Sequence, residues 1–325
     1  MRIARKNLIF ILLAFVLILV AGLRPLEHFR DTSSYLKMIH SDDGLFAAEP
    51  TLWIINQVNK LLLGGVDQVF FLLYAFLGVS LTMLAIMRLS PMPWLSVIVY
   101  LCLFFVLHEM TQIRAGVAVA FFLLAIPDIA NRNLKSYLIK TALAISFHYS
   151  AIVMILLYFI SPSKKRILTY WFLPIIGFLV ATTMPSGVLN FLEYIAVYFP
   201  RAISSKITIY LALYNSGAYE TLNIFNLYIL SLIFIYYFSL FCISRFNNSL
   251  SVILVKLLGI QIFVYYFFSI LPVFSLRISE FISVSLIFYF PNFVLLFKQK
   301  LLPSLFVLTL SIAFFNIFSL SIINF

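Results

Sequence analysis

Apolar positions in this chain form long unbroken runs, and polar positions collect in the gaps between them. Nine such runs lie near 8–23, 69–87, 93–107, 112–127, 168–184, 222–244, 251–271, 277–297 and 302–322. Runs of this kind read as membrane-spanning helices, since roughly 20 apolar residues cross the hydrocarbon core of a bilayer. None alternates with the period of two that a membrane β-barrel requires. The pattern predicts an all-α polytopic integral membrane protein, with about nine transmembrane helices in one integral domain over 1–325. It is compatible with a GT-C-like architecture.

Three gaps are longer than simple turns. Segment 24–68 holds most of the acidic residues. Within it EPTLWIINQVNKLLL places Leu52, Ile55, Val58 and Leu62 on one helical face. That helix is too short and too polar to cross a bilayer, so an interfacial position is expected. Segment 185–221 is Tyr-rich, carries Glu193, Arg201, Lys206 and Glu220, and reads as a second outer segment. The third stretch, 134–160, is LKSYLIKTALAISFHYSAIVMILLYFI, bracketed by Arg132 and Lys135 before and Lys164, Lys165 and Arg166 after. A single crossing would put one basic cluster outside. A re-entrant helix pair, broken near Phe147-His148-Tyr149-Ser150, keeps both inside, and the positive-inside rule favours it. Irregular backbone at membrane depth is tolerated where it lines a polar cavity, so the break would mark a functional site. The plainer alternative is one long tilted helix with a buried histidine.

Composition agrees with this picture. The chain is 64% hydrophobic and 10% charged, with a formal charge of +11. In a membrane protein that excess marks the cytoplasmic ends of spans, and nucleic acid is not an expected partner. Cys102 and Cys242 fall inside apolar runs and suggest neither a disulfide nor a metal site. MRIARKN precedes an apolar run with no small-residue cleavage site after it, so an uncleaved first span with a cytoplasmic N-terminus is expected. On this topology all of the 11 acidic residues except Asp128 face outward, together with Arg114 and Arg277.

The outer face therefore holds the candidate chemistry. In HEMTQIRAGVAVAFFLLAI, Arg114 opens a span, and Gly116 and Ala120 form a small-xxx-small pair that admits a close neighbouring helix. Arg277 opens another span in LPVFSLRISEFISVSLIFYFP. A guanidinium is a permanently charged planar fork of donors suited to phosphate oxygens. The plain reading of each is an arginine snorkelling at a helix end. His148 is either a hydrogen-bonded core histidine or a proton-accepting group at the base of a cavity. Asp31 and Glu49 are either solvated loop acids or candidates for a general base. No metal-ligand spacing, nucleotide loop or Ser-His-Asp order appears, so neither a metal nor a cofactor is expected. Tyr198, Tyr210, Tyr214 and Tyr219 have the chemistry to stack on sugars, but nothing in their spacing singles them out.

These residues, in this order, resemble the EpsG family of polysaccharide repeat-unit polymerases, the Wzy-type enzymes of O-antigen and exopolysaccharide assembly. The matching pieces are RDTSSY with Asp31 and Tyr35, then Glu49, QIRAGVAVAFFLLAI with Arg114, AISFHYSAIVMILLYFI with His148, and SLRISEFISVSLIFYFP with Arg277. Ala115 stands where the family usually has Gln. The resemblance implies joining of oligosaccharide repeat units carried on undecaprenyl pyrophosphate, at the outer face of the cytoplasmic (inner) membrane of a bacterium. The growing chain would be the donor and a new lipid-linked unit the acceptor, with a chain-length regulator protein as a partner. It implies Glu49, Asp31 and then His148 as candidates for the base, and Arg114 with Arg277 as the pyrophosphate cations. Because the donor is already activated, no cofactor is implied.

Three other readings compete. An O-antigen ligase uses the same donor but usually carries a larger outer loop than 185–221. A flippase or transporter predicts charges along a central path and two related halves, whereas here the charges lie near one face and no repeat is visible. A membrane O-acyltransferase would share the buried histidine but not the outward arginines.

Overall fold

The computed structural model of the chain describes residues 2–29, 31–40, 49–165, 167–199, 201–217 and 222–323. Among the described residues all regular structure is helical. In chain order the helices begin with α1 (Arg2–Gly22), α2 (Thr32–His40), α3 (Pro50–Leu62), α4 (Asp67–Leu89) and α5 (Pro93–Tyr100), which runs on as a π-helical stretch, Leu101–Thr111. Then come α6 (Ile113–Asn131), α7 (Leu134–Phe147), α8 (Val153–Leu157), α9 (Ile167–Thr183), α10 (Pro185–Ala196) and α11 (Arg201–Asn215). The series ends with α12 (Leu227–Phe241), α13 (Ser249–Phe267), α14 (Pro272–Ser283), α15 (Leu286–Val294) and α16 (Leu301–Ile323).

An apolar helix occupies each expected span. Four stretches, α4, Pro93–Thr111, α6 and α13, are long and apolar enough to cross a membrane alone, and up to six do so if each bent helix pair counts as one span. Shorter apolar stretches lie at Asn7–Gly22, Leu227–Phe241 and Leu301–Asn316. The protein is an all-helical polytopic membrane protein.

By its contacts the chain, read from sequence as one integral domain, divides into two compact units, Met1–Ile155 with Leu286–Phe325, and Leu156–Ser285. In the first unit α4 packs against α1 and α6, and α6 against α7. In the second, α13 packs against α9, α12 and α14. Segment 185–221 contributes α10 and α11 to the second unit, where Val188, Leu192, Ile207 and Leu211 form a small core with Leu271.

Two of the helix-interior prolines have their missing donor replaced by a distant hydroxyl. Pro291, inside α15, has no N–H to give the carbonyl of Ile287, and Ser96 Oγ donates to that carbonyl instead at 2.6 Å. Pro174, inside α9, leaves the carbonyl of Tyr170 without its helical donor, and Tyr236 Oη donates there at 2.6 Å. The span expected at 168–184 ends at Thr183, and the chain turns by 100° into α10. Met184, whose successor is Pro185, is kept out of the helical region (φ −134, ψ 49). The span expected at 277–297 is interrupted at Val284–Ser285, where the Ser279 and Ser283 hydroxyls donate to the carbonyls of Leu276 and Glu280.

Stretch 134–160 breaks where its sequence predicts. His148 is extended (φ −153, ψ 122), and a 3-10 turn, Tyr149–Ile152, follows. Tyr137 Oη donates to the carbonyl of Met154 at 2.6 Å. In a continuous helix those residues would lie about 25 Å apart, at ~1.5 Å per residue. The chain therefore doubles back at His148.

The apolar face expected for α3 requires a correction. Its buried face is Leu52, Ile55, Asn56 and Asn59, while Val58 and Leu62 are exposed. The asparagines turn inward because Asn56 Nδ2 donates to the carbonyl of Ile39 (3.2 Å) and Asn59 Nδ2 to that of Val66 (3.0 Å). Buried backbone acceptors outrank two apolar side chains here.

Candidate functional site

Glu49 immediately precedes α3, with Pro50 in the first helical turn and the Glu49 carbonyl accepting the Leu52 N–H at 3.0 Å. An acid in this position commonly caps its own helix, but Glu49 makes no such cap. Its carboxylate reaches across to α6 and to the break after α7. Oε2 forms an ion pair with Arg114 Nη1. Oε1 lies 3.2 Å from His148 Nδ1 and accepts the Tyr149 N–H at 3.3 Å. Thr51 Oγ1 donates to the Ser146 carbonyl at 2.7 Å, which ties the start of α3 to the last turn of α7. That carbonyl lies in the helix end that lacks internal donors.

Burial makes this arrangement consequential. The Glu49 side chain is fully buried, that of Arg114 is 14% exposed and that of His148 is 11% exposed. A carboxylate taken out of water is tolerated only when paired and hydrogen-bonded. Glu49 meets both conditions: a cation on one oxygen, and an imidazole and a backbone N–H on the other. The Arg114 guanidinium also lies over the Tyr35 ring, 5.2 Å from its centroid. Aromatic rings close the surroundings, with Phe147 against both Tyr74 and Phe121.

Arg114 is delivered by a second irregularity. Gln112 (φ −94, ψ 57) separates the π-helical stretch from α6. Such stretches often accompany functional sites because they shift side-chain register. Here the stretch buries Glu109, which accepts a hydrogen bond from Tyr100 Oη at 3.0 Å. Gly78 and Gly116 leave room for the Glu109 carboxyl and the His108 carbonyl, where a Cβ would collide. Glu109, expected as an outward acid, is thus a buried one. Local pattern could not reveal this, because the partners come from α4, α5 and α6.

The first unit therefore brings together Glu49, Arg114 and His148, three of the five residues singled out from sequence. Asp31 lies at the start of α2, partly exposed, with its carbonyl accepting the Tyr35 N–H at 3.1 Å. None of the contacts joining Glu49, Arg114 and His148 involves the Asp31 carboxylate. Arg277 belongs to the second unit, half-buried in α14. Sequence reasoning did not assign roles to Tyr35, Thr51 or the Tyr149 backbone. Tyr35 carried the only advance signal, standing one helical turn after Asp31 in RDTSSY. Among the described residues no group of acidic, histidine and cysteine side chains is placed to hold a metal ion.

The model of the EpsG family matches residues 7–325. The chain belongs to the EpsG family. The resemblance read from RDTSSY, the Arg114 segment and the His148 segment thus extends over nearly the whole protein. Amylovoran biosynthesis protein AmsC of Erwinia amylovora is 28% identical to this EpsG-family chain over 197 residues, which are 57% of the chain and 50% of AmsC. The chain thus spans about half the length of this curated relative. No solved structure matches.

Proposed function

We propose that this EpsG-family protein joins oligosaccharide repeat units carried on undecaprenyl pyrophosphate into an O-antigen or exopolysaccharide, at the outer face of the bacterial cytoplasmic membrane. The observation that carries the reading is the buried Glu49 carboxylate held between Arg114 and His148 at the break of a doubled-back helix pair. A relative named for amylovoran biosynthesis supports the same class of product. The acceptor hydroxyl attacks the anomeric carbon of the donor, and the bond from that carbon to the pyrophosphate oxygen breaks. Polyprenyl pyrophosphate leaves with the bonding electrons.

The hydroxyl proton must go to a base, and His148 is the better acceptor of the pair. Glu49 already accepts from Arg114 and Tyr149. With Nδ1–H directed at Glu49, the imidazole carries its basic lone pair on Nε2, and the carboxylate stabilises the imidazolium once formed. Glu49 is then a positioning residue, and Asp31 stands behind both. Arg114 retains a buried Nε–H with no partner among the described residues, suited to a phosphate oxygen. Arg277 is the partner cation that the family resemblance suggests.

The test is a chromosomal deletion complemented with His148→Gln, reading the polysaccharide ladder and the protein level. A base contributes about 10²-fold or more in rate. The expected result is a single repeat unit on its acceptor, with normal protein level. A normal ladder would remove His148 from the chemistry. Loss of every unit in the deletion itself would point instead to a ligase or a flippase.

A further inference from the structure

Arg24 lies just past the end of α1 and is 2% exposed. Its Nη1 donates to the Ala21 carbonyl at 2.8 Å, but Nε and Nη2 have no partner among the described residues. None of the ion pairs among the described residues includes it. Two aromatic rings add to the compensation from the Ala21 carbonyl. The guanidinium carbon lies 4.6 Å from the Phe71 centroid and 5.4 Å from that of Phe29. A buried cation with spare donors is costly, and ring faces offset only part of that cost.

The position of Arg24 gives the spare donors a meaning. The Phe71 ring lies 6.2 Å from the Tyr35 ring, and Tyr35 underlies Arg114 at 5.2 Å. Arg24 and Arg114 thus lie over the two members of one touching ring pair, Arg24 over Phe71 and Arg114 over Tyr35. Thr32, whose N–H is held by the Phe29 carbonyl at 3.0 Å, adds a buried hydroxyl without a partner among the described residues. Gln68 Nε2 donates to the carbonyls of both Gly22 and Arg24, so these two carbonyls are held without the guanidinium, which spends only Nη1 on the main chain, at Ala21. Burial pulls the Arg24 guanidinium down to about 10, against the opposing pull of Tyr35 and Glu109, so it stays charged at neutral pH. The surplus consists of donors and positive charge, and the complementary group is an anion with several acceptor oxygens.

We infer that Arg24 is a second oxyanion-binding residue of this site, taking a phosphoryl oxygen of the lipid pyrophosphate beside Arg114. The identity of the ligand rests on the polymerase reading. The residue assignment rests on the geometry around Arg24.

The experiment measures binding of inorganic pyrophosphate and of farnesyl pyrophosphate to the purified full-length protein in nanodiscs, with the ligand-free thermal midpoint recorded in parallel. The variants are Arg24→Lys, Arg24→Gln and Arg114→Lys. Arg24→Lys keeps the charge and the ring contacts but loses the fork. It should weaken both ligands about tenfold while leaving the ligand-free midpoint near wild type. Arg24→Gln should weaken them further. If Arg24→Gln does not fold, Arg24→Lys decides alone. Wild-type affinity in the Arg24 variants, with Arg114→Lys impaired, would overturn the role of Arg24 and leave the proposed function standing. A lowered midpoint with unchanged affinity would do the same, making Arg24 a helix clasp. Weakening confined to inorganic pyrophosphate would overturn the lipid assignment. A wild-type protein that binds neither ligand would remove the pyrophosphate reading and this inference together.

Discussion

Replacing Glu49 by Gln keeps the shape of the buried side chain and removes its charge. Arg114 would then lose its counterion in a place where only 14% of its side chain reaches solvent. One face of the new amide would present donors to the guanidinium, to the imidazole Nδ1–H or to the Tyr149 N–H, which already need an acceptor. Removing one member of a buried pair costs roughly 3–5 kcal/mol, much of it the penalty of the charge left behind. Removing both members is far milder, since the desolvation cost goes with them. The informative measurement is therefore a double-mutant cycle of Glu49→Gln, Arg114→Met and the double variant. Unfolding of the detergent-solubilised protein can be followed by Trp53, which neighbours the site in α3. The costs of the two single changes should add up to more than the cost of the double change, with a coupling of about 0.5–3 kcal/mol. Additive effects would mean that the pair contributes no coupling, and the account of why Glu49 is buried would be wrong.

Two further outcomes follow from the break at His148. Tyr137→Phe removes the Tyr137 hydroxyl from the buried Met154 carbonyl and should destabilise the protein by about 1–3 kcal/mol; an unchanged thermal midpoint would mean that this bond does not hold the doubled-back segment. Single cysteines at the exposed positions Lys135→Cys and Ser163→Cys, in a background lacking Cys102 and Cys242, should both resist an impermeant thiol reagent in intact spheroplasts. Labelling of Ser163→Cys alone would show that 134–160 crosses the membrane.

The helices were legible because apolar runs need no partner to be recognised. The break at His148 was legible for a similar reason: the basic residues on either side of 134–160 are a local signal of where the chain must return. What sequence left hidden depends on groups far along the chain. Nothing near Pro291 announces that Ser96 supplies the missing donor, and nothing near Pro174 announces Tyr236. Nothing near Asn56 and Asn59 announces that the carbonyls of Ile39 and Val66 hold them inside.

The site shows the same limit in its sharpest form. Glu49, Arg114 and His148 each stood out alone, because each interrupts or adjoins apolar sequence. Yet Arg114 read as a cation awaiting phosphate and Glu49 as an acid awaiting a sugar hydroxyl, when their first partners are each other. The pairing alters both roles. A carboxylate already committed to a guanidinium, an imidazole and a backbone N–H is a weak proton acceptor and a good orienting group, which moves the proton to His148. A guanidinium already neutralised by Glu49 adds less net charge to a pyrophosphate than sequence suggested, although its Nε–H remains available. A pyrophosphate at this site therefore needs positive charge beyond Arg114. Within the first unit, the buried arginine whose ring contacts adjoin those of Arg114, and which is not committed to a carboxylate among the described residues, is Arg24.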